Sequence, residues 1–220
     1  MPNNGEIKVE LKGGPQLTAM LKVPEAAKGL VIFAHGSGSS RFSPRNNFVA
    51  DVLNEHQMAT LLTDLLTPSE DVVFENRFNI NLLSNRLIKV SEWSMEQAAL
   101  RQLPVGYFGA STGAAAALQA AALNKRIEAV VSRGGRPDLS KNLSQVQAPT
   151  LLIIGSLDTA VIELNKQAYD ELRCEKRMEI VQGASHLFEE PGTLDSVSNL
   201  AADWFERYLI RNGKFSGSPL

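Results

Sequence analysis

The feature that most constrains this chain is a regular exchange between two kinds of segment. Short runs rich in Val, Ile, Leu and Phe recur at Leu30–Ala34, Ala59–Leu65, Val105–Ala110, Ile127–Ser132, Thr150–Gly155 and Arg177–Gln182. Between them lie longer stretches with helical spacing: Phe48–His56, a helix within Leu83–Leu103, the alanine-rich Thr112–Leu123, Thr159–Arg173 and Thr193–Arg211. A strand that is apolar on both faces must be covered on both faces, and helices between such strands supply the cover. Two earlier segments, Ile7–Leu11 and Gln16–Val23, alternate apolar and polar residues around Gly13-Gly14-Pro15. They predict an antiparallel hairpin at the sheet edge. The expected fold is therefore α/β, a mostly parallel sheet of about eight strands flanked by helices on both faces.

Composition narrows the setting. The chain has 220 residues, 44% hydrophobic and 21% charged, with a net charge of −2. Residues 1–220 read as one domain without a linker or repeat. Neither nucleic acid nor an anionic membrane is favoured by that charge. No apolar run approaches the roughly 20 residues that span a bilayer, and the first residues lack a basic segment followed by an apolar one. A cytoplasmic protein acting on a small molecule is the expectation, with a homodimer left open. The single cysteine, Cys174, sits in a charged stretch that reads as an exposed helix end, hence an incidental thiol. A polar excursion opens at Thr67 and runs to about Asn81, read as a loop over the site. Gly213–Leu220 reads as a frayed tail.

Ligands of such sheets bind beyond the carboxyl ends of the strands, so the residues after each strand carry the chemistry. After Val105–Ala110 stands Gly109-Ala110-Ser111-Thr112-Gly113, a G-x-S-x-G sequence between a strand and a helix. That spacing suits a nucleophile on a sharp turn, with small residues two before and two after it allowing close packing. A serine hydroxyl needs a general base, and there are three histidines. His56 falls at the end of an amphipathic stretch, as a surface or capping residue. His35 precedes Gly36-Ser37-Gly38 and shapes that turn by hydrogen bonding. His186 follows the last strand and is left as the base.

Asp158, after the strand Thr150–Gly155, is the acid that orients His186. Asp138 is the alternative acid; its competing role is a helix N-cap. Asp64 lies on the wrong side of the serine in chain order. Oxyanion donors are expected from the backbone N–H of Thr112 and, in the turn after Leu30–Ala34, of Ser37. Four arginines stand at strand ends, Arg41 and Arg45 in one loop and Arg133 and Arg136 in another. They suggest an anionic substrate group, against the alternative of solvated arginines and salt bridges. Phe42, Phe74, Phe78 and Phe188 suit an acyl pocket or the core equally. The histidines are scattered, so neither a metal nor another cofactor is implied.

In order along the chain, the H-G-x-G turn at His35, the G-x-S-x-G elbow, the G-S-x-D loop ending at Asp158 and the G-x-x-H loop ending at His186 resemble the α/β-hydrolase superfamily. The short length without an inserted cap, and the segment Gly183–Gly192, are similar to its dienelactone hydrolase-like branch. Dienelactone hydrolases proper carry a cysteine nucleophile where this chain has Ser111. The resemblance implies a serine hydrolase of small esters, lactones or thioesters. The same triad also serves a peptidase or an acyltransferase, and the fold alone also serves a non-catalytic binding or accessory module.

Overall fold

The computed structural model describes residues 4–210. Eight strands form one sheet: β1 (Gly5–Glu10), β2 (Gln16–Lys22), β3 (Gly29–Ala34), β4 (Met58–Thr63), β5 (Val105–Ala110), β6 (Ile127–Arg133), β7 (Thr150–Gly155) and β8 (Lys176–Val181). Their spatial order is β1-β2-β4-β3-β5-β6-β7-β8. The β1–β2 hairpin is antiparallel, and β2 joins it to β4 in antiparallel register. All later pairings are parallel. Because β3 lies between β4 and β5, the chain reverses its direction of travel across the sheet there. A crevice opens at that point beyond the carboxyl ends.

Strands β3, β4, β5 and β7 are buried at every position. Hence their sequences are unbroken apolar runs rather than alternating ones. One face, carrying Leu30, Ile32, Tyr107, Val130 and Leu152, packs on the alanines of α4 (Thr112–Leu123) and on α3 (Ile80–Ser94) and α5 (Thr159–Glu171). The other, carrying Val31, Phe33, Phe108, Val131 and Ile153, packs on α1 (Pro44–Glu55) and α6 (Thr193–Leu209) through Val49, Leu53 and Phe205. The run Ala114–Ala122 is buried throughout, as close packing of a central helix on a sheet requires.

Several expectations change. The first helix begins at Pro44 rather than Phe48, because the Ser43 hydroxyl accepts the Asn46 N–H and Pro44 occupies the first turn. The third begins at Ile80 under an Asn79 cap and ends at Ser94, well short of Leu103. The excursion is not irregular. It folds as α2 (Pro68–Asp71), closed by a reciprocal Thr67–Glu70 capping box, followed by a 3₁₀ turn at Phe74–Phe78. Cys174 is half-buried rather than exposed, its thiol directed at Thr150 Oγ1 at 3.7 Å. Arg211 and the tail Gly213–Leu220 lie outside the described residues. Among the described residues no helix is long and apolar enough to cross a membrane.

Candidate active site

Ser111 joins β5 to α4 with φ 52° and ψ −121°, a backbone region that a side chain occupies only under constraint. The glycines around it explain the constraint. A Cβ on Gly109 would lie 2.4 Å from Ala114 Cα, and one on Gly113 would lie 2.1 Å from the Ala34 carbonyl oxygen. Strand, helix and the end of β3 thus meet at backbone distance, and the serine is the residue turned outward. Hydrogen bonds to β6 and the loop after it hold the turn: Ser111 N–H donates to Arg133 O, and Arg136 N–H to Ser111 O, each at 3.1 Å.

His186 reaches the serine from the loop after β8. Its Nε2 lies 3.4 Å from Ser111 Oγ, and its Nδ1 lies 2.5 Å from Asp158 Oδ2. With Nδ1–H donated to the carboxylate, Nε2 presents its lone pair to the hydroxyl. The longer serine contact is of the kind that tightens when substrate binds. Asp158 stands at the N-terminus of α5 and makes no side-chain cap there, so its carboxylate is free to face the imidazole. The acid loop and the histidine loop are joined backbone to backbone. Leu157 N–H donates to Ala184 O at 3.0 Å, and a Cβ on Gly155 would meet that same oxygen at 2.3 Å.

The loop after β3 closes against the elbow, where a Cβ on Gly36 would lie 3.2 Å from Ser111 Cβ. Thr112 is the first residue of α4, so its N–H has no acceptor within the helix. The Ser37 N–H is engaged: it donates to Thr112 Oγ1 at 2.7 Å. His35 donates Nδ1–H to Gly36 O at 2.9 Å, and His56 caps α1 and meets Glu206 at 2.8 Å, each as its position in the sequence suggests. Asp138 is neither the acid nor an N-cap. It sits inside the turn Pro137–Leu139, held by both Arg136 Nε and Nη2 at 2.8 Å. The excursion borders the turn after β3, since Leu66, Thr67, Pro68 and Asp71 share with His35 and Ser39 the lining of a cavity of about 300 Å³, which none of Ser111, Asp158 and His186 lines.

The four arginines separate. Arg41 pairs with Asp64 and with Glu6, the latter at 2.7 Å, and its guanidinium lies over the Phe42 ring. Arg136 is taken by Asp138. Arg45 donates to Glu189 at 3.0 Å. Arg133 is 7% exposed and has no such partner. Phe188 belongs to the core, whereas Phe42, Phe74 and Phe78 are exposed. Among the described residues no group of three or more His, Cys, Asp or Glu side chains is placed to hold a metal ion.

With this geometry in place, comparison with known proteins assigns the chain. Residues 88–217 match the family model described as PET hydrolase-like. A solved dienelactone hydrolase from Anabaena variabilis is 49% identical, superposes with a TM-score of 0.91 and covers 94% of this chain and 99% of its own. The chain belongs to the dienelactone hydrolase-like branch of the α/β-hydrolases. Est1E from Butyrivibrio proteoclasticus, 15% identical over 93% of this chain and 98% of its own, shares the fold with a TM-score of 0.79. Two Mycobacterium tuberculosis proteins, from strains CDC 1551 and H37Rv, are 53% identical over 209 residues and are provisionally named phosphoribosyl transferases. The match covers 94% of this chain and 47% of theirs, so the chain spans about half the length of these curated relatives.

Within this α/β-hydrolase, two supporting residues escape sequence reasoning. Glu190 Oε2 accepts the Ser185 N–H at 3.0 Å and pins the loop that carries His186. Its bonds from Ser185 hold the Glu190 carboxyl below the usual carboxylate range. The hydroxyl of Thr112 is the other, since only its backbone was expected to matter. A polar residue four after the histidine and a threonine after the nucleophile were the available signals.

Proposed function

We propose that this α/β-hydrolase cleaves a small carboxylic ester, lactone or thioester through an acyl-enzyme on Ser111. The observation that carries the reading is the continuous contact from Ser111 Oγ through His186 to Asp158, at 3.4 and 2.5 Å. Ser111 Oγ attacks the carbonyl carbon while His186 Nε2 takes its proton. Asp158 keeps Nδ1 protonated and balances the imidazolium. The Thr112 amide receives the oxyanion, while the Ser37 amide stays bonded to Thr112 Oγ1 and holds the turn after β3 beside it. On collapse, His186 returns the proton to the leaving alcohol or thiol, and water repeats the sequence to release the acid.

Labelling with a fluorophosphonate probe tests this. Wild type should label and Ser111→Ala should not, and a panel of p-nitrophenyl esters, lactones and thioesters should define the acyl group. His186→Ala should lower kcat by about 10⁴-fold or more while melting as wild type does. Full activity in Ser111→Ala or His186→Ala refutes the assignment.

A second reading follows from the Mycobacterium tuberculosis relatives, of which the chain matches only 47%. About half of each relative lies outside the match, and an accessory role within a longer phosphoribosyl-transferring protein is the alternative. Folded wild type that neither labels nor turns over any ester would favour it.

A further inference from the structure

Of the residues that α5 buries, Val161, Asn165 and Ala168, only Asn165 is polar. It is fully sealed, at 0% exposure. Asparagine is a poor helix former away from the caps. Its Oδ1 has no hydrogen bond to any described residue, and a buried acceptor left unmet is destabilising. Stability alone does not account for an amide at this position. Its Nδ2, by contrast, is fully employed. It donates to Val161 O one turn back, at 2.8 Å, and to Gly135 O, at 3.0 Å. Both partners are carbonyl oxygens, which fixes the orientation of the amide.

Gly135 lies in the loop after β6. A Cβ on it would overlap Ser132 Oγ and lie 2.7 Å from Ala114 Cβ, so the backbone there is closely confined. The Gly135 carbonyl and the Arg136 N–H belong to one peptide group. That N–H donates to Ser111 O at 3.1 Å. The Ser111 carbonyl and the Thr112 N–H in turn belong to one peptide group. A line of hydrogen bonds therefore runs from Asn165 Nδ2 through two peptide groups to the Thr112 N–H. Each bond in such a line polarises the next, because a carbonyl that accepts a proton draws electron density from its own peptide nitrogen and makes that N–H a stronger donor. The helix that carries Asp158 at its N-terminus thus also supports the serine turn from its middle.

We propose that Asn165 is a positioning residue of the oxyanion site, orienting and polarising the Thr112 N–H through the Gly135–Arg136 and Ser111–Thr112 peptide groups. The inference rests on the reading of Ser111 as nucleophile and of the Thr112 N–H as oxyanion donor, and adds the residue that sets that donor's strength. Acting from α5 through the backbone, Asn165 affects the transition state, where the oxygen charge develops, and not ground-state binding.

Two variants test this. Asn165→Ser places a short hydroxyl that back-bonds to the Val161 carbonyl, so the bond within the helix is kept and the Gly135 bond alone is lost. Asn165→Leu removes both bonds at similar volume. One oxyanion donor is worth about 10²–10³-fold in kcat and polarisation supplies about 10–30% of a bond's strength, so kcat for p-nitrophenyl acetate should fall by about twofold to eightfold in each variant. KM and the pH profile of kcat should not change. In isotope-labelled protein the Arg136 and Thr112 amide proton resonances should move upfield together, since both lose polarisation. Wild-type kcat in a folded variant, a loss carried by KM instead, or unmoved Arg136 and Thr112 resonances overturn the inference. Asn165→Ser overpacks nothing and keeps the test decisive if Asn165→Leu does not fold. Fluorophosphonate labelling of wild type reports on Ser111 by itself. Absence of labelling refutes the nucleophile, whereas unmoved amide resonances with labelling intact refute only the relay.

Discussion

Gly113→Ala is the sharpest test of how the elbow is built. The added methyl would lie 2.1 Å from Ala34 O, 2.5 Å from His35 O and 2.6 Å from Ala34 C, all of them backbone atoms with no rotamer to yield. Relieving the overlap requires the first turn of α4 to retreat from β3 by roughly 1 Å, since non-bonded carbon and oxygen settle at about 3.2 Å or beyond. Overpacking of this kind costs about 1–3 kcal/mol and occasionally more. For a chain of this size that lowers Tm by roughly 2–12 °C. The same movement carries the Thr112 N–H and Ser111 away from His186, and a 1 Å misplacement of reacting groups costs about 10²-fold. Gly192→Ala is the matched control. Unlike Gly113 it sits at positive φ, 78°, and nothing lies within 4 Å of its Cβ position. It should lose only the left-handed penalty of about 1–2 kcal/mol and keep its kcat/KM. Thermal melts and p-nitrophenyl acetate kinetics on the two variants decide the matter. A Gly113→Ala protein that melts within about 2 °C of wild type and keeps kcat/KM within about threefold would refute the backbone-contact reasoning.

Three further outcomes follow from single contacts. Thr112→Val keeps the backbone donor but removes the acceptor that fixes the Ser37 N–H at 2.7 Å; kcat should fall about tenfold or more with little change in KM, and Thr112→Ser should restore it in steady-state assays. Tyr107 is fully buried with its hydroxyl 2.8 Å from Ser91 Oγ, and burial pushes its phenol well above the ordinary value of 10.0. The unfolded chain therefore loses that proton first, so the stability Tyr107 confers is whole below pH 10 and is lost as pH rises above it; urea midpoints measured across that range should decline less steeply for Tyr107→Phe than for wild type. Burial likewise raises the Cys174 thiol, so reaction with a disulfide reagent near neutral pH should be slow in the native protein and fast once it is unfolded.

The fold was legible because burying a strand on both faces leaves only apolar residues to choose from, as LVIFA of β3 and TLLIIG of β7 show. The meeting of Ser111, Asp158 and His186 was legible because each follows such a strand and the chain supplies few alternatives, three histidines among them. Helix starts were misplaced where capping chemistry outweighs periodicity. The first turn of α1 carries Arg45, Asn46 and Asn47, which look like loop, yet Ser43 and Pro44 already open the helix. Thr67 and Glu70 spell a capping box inside what reads as a polar loop. Pairing of charges was not legible at all. Arg41 meets Asp64 and Glu6, 23 and 35 residues away, and nothing local in the sequence distinguishes it from Arg133. Four arginines at strand ends are equivalent as letters. They become different only when each guanidinium is set against the carboxylates within its reach. Arg41 and Arg136 are then spent on holding loops, while Arg133 is left with a charge that the described chain does not answer.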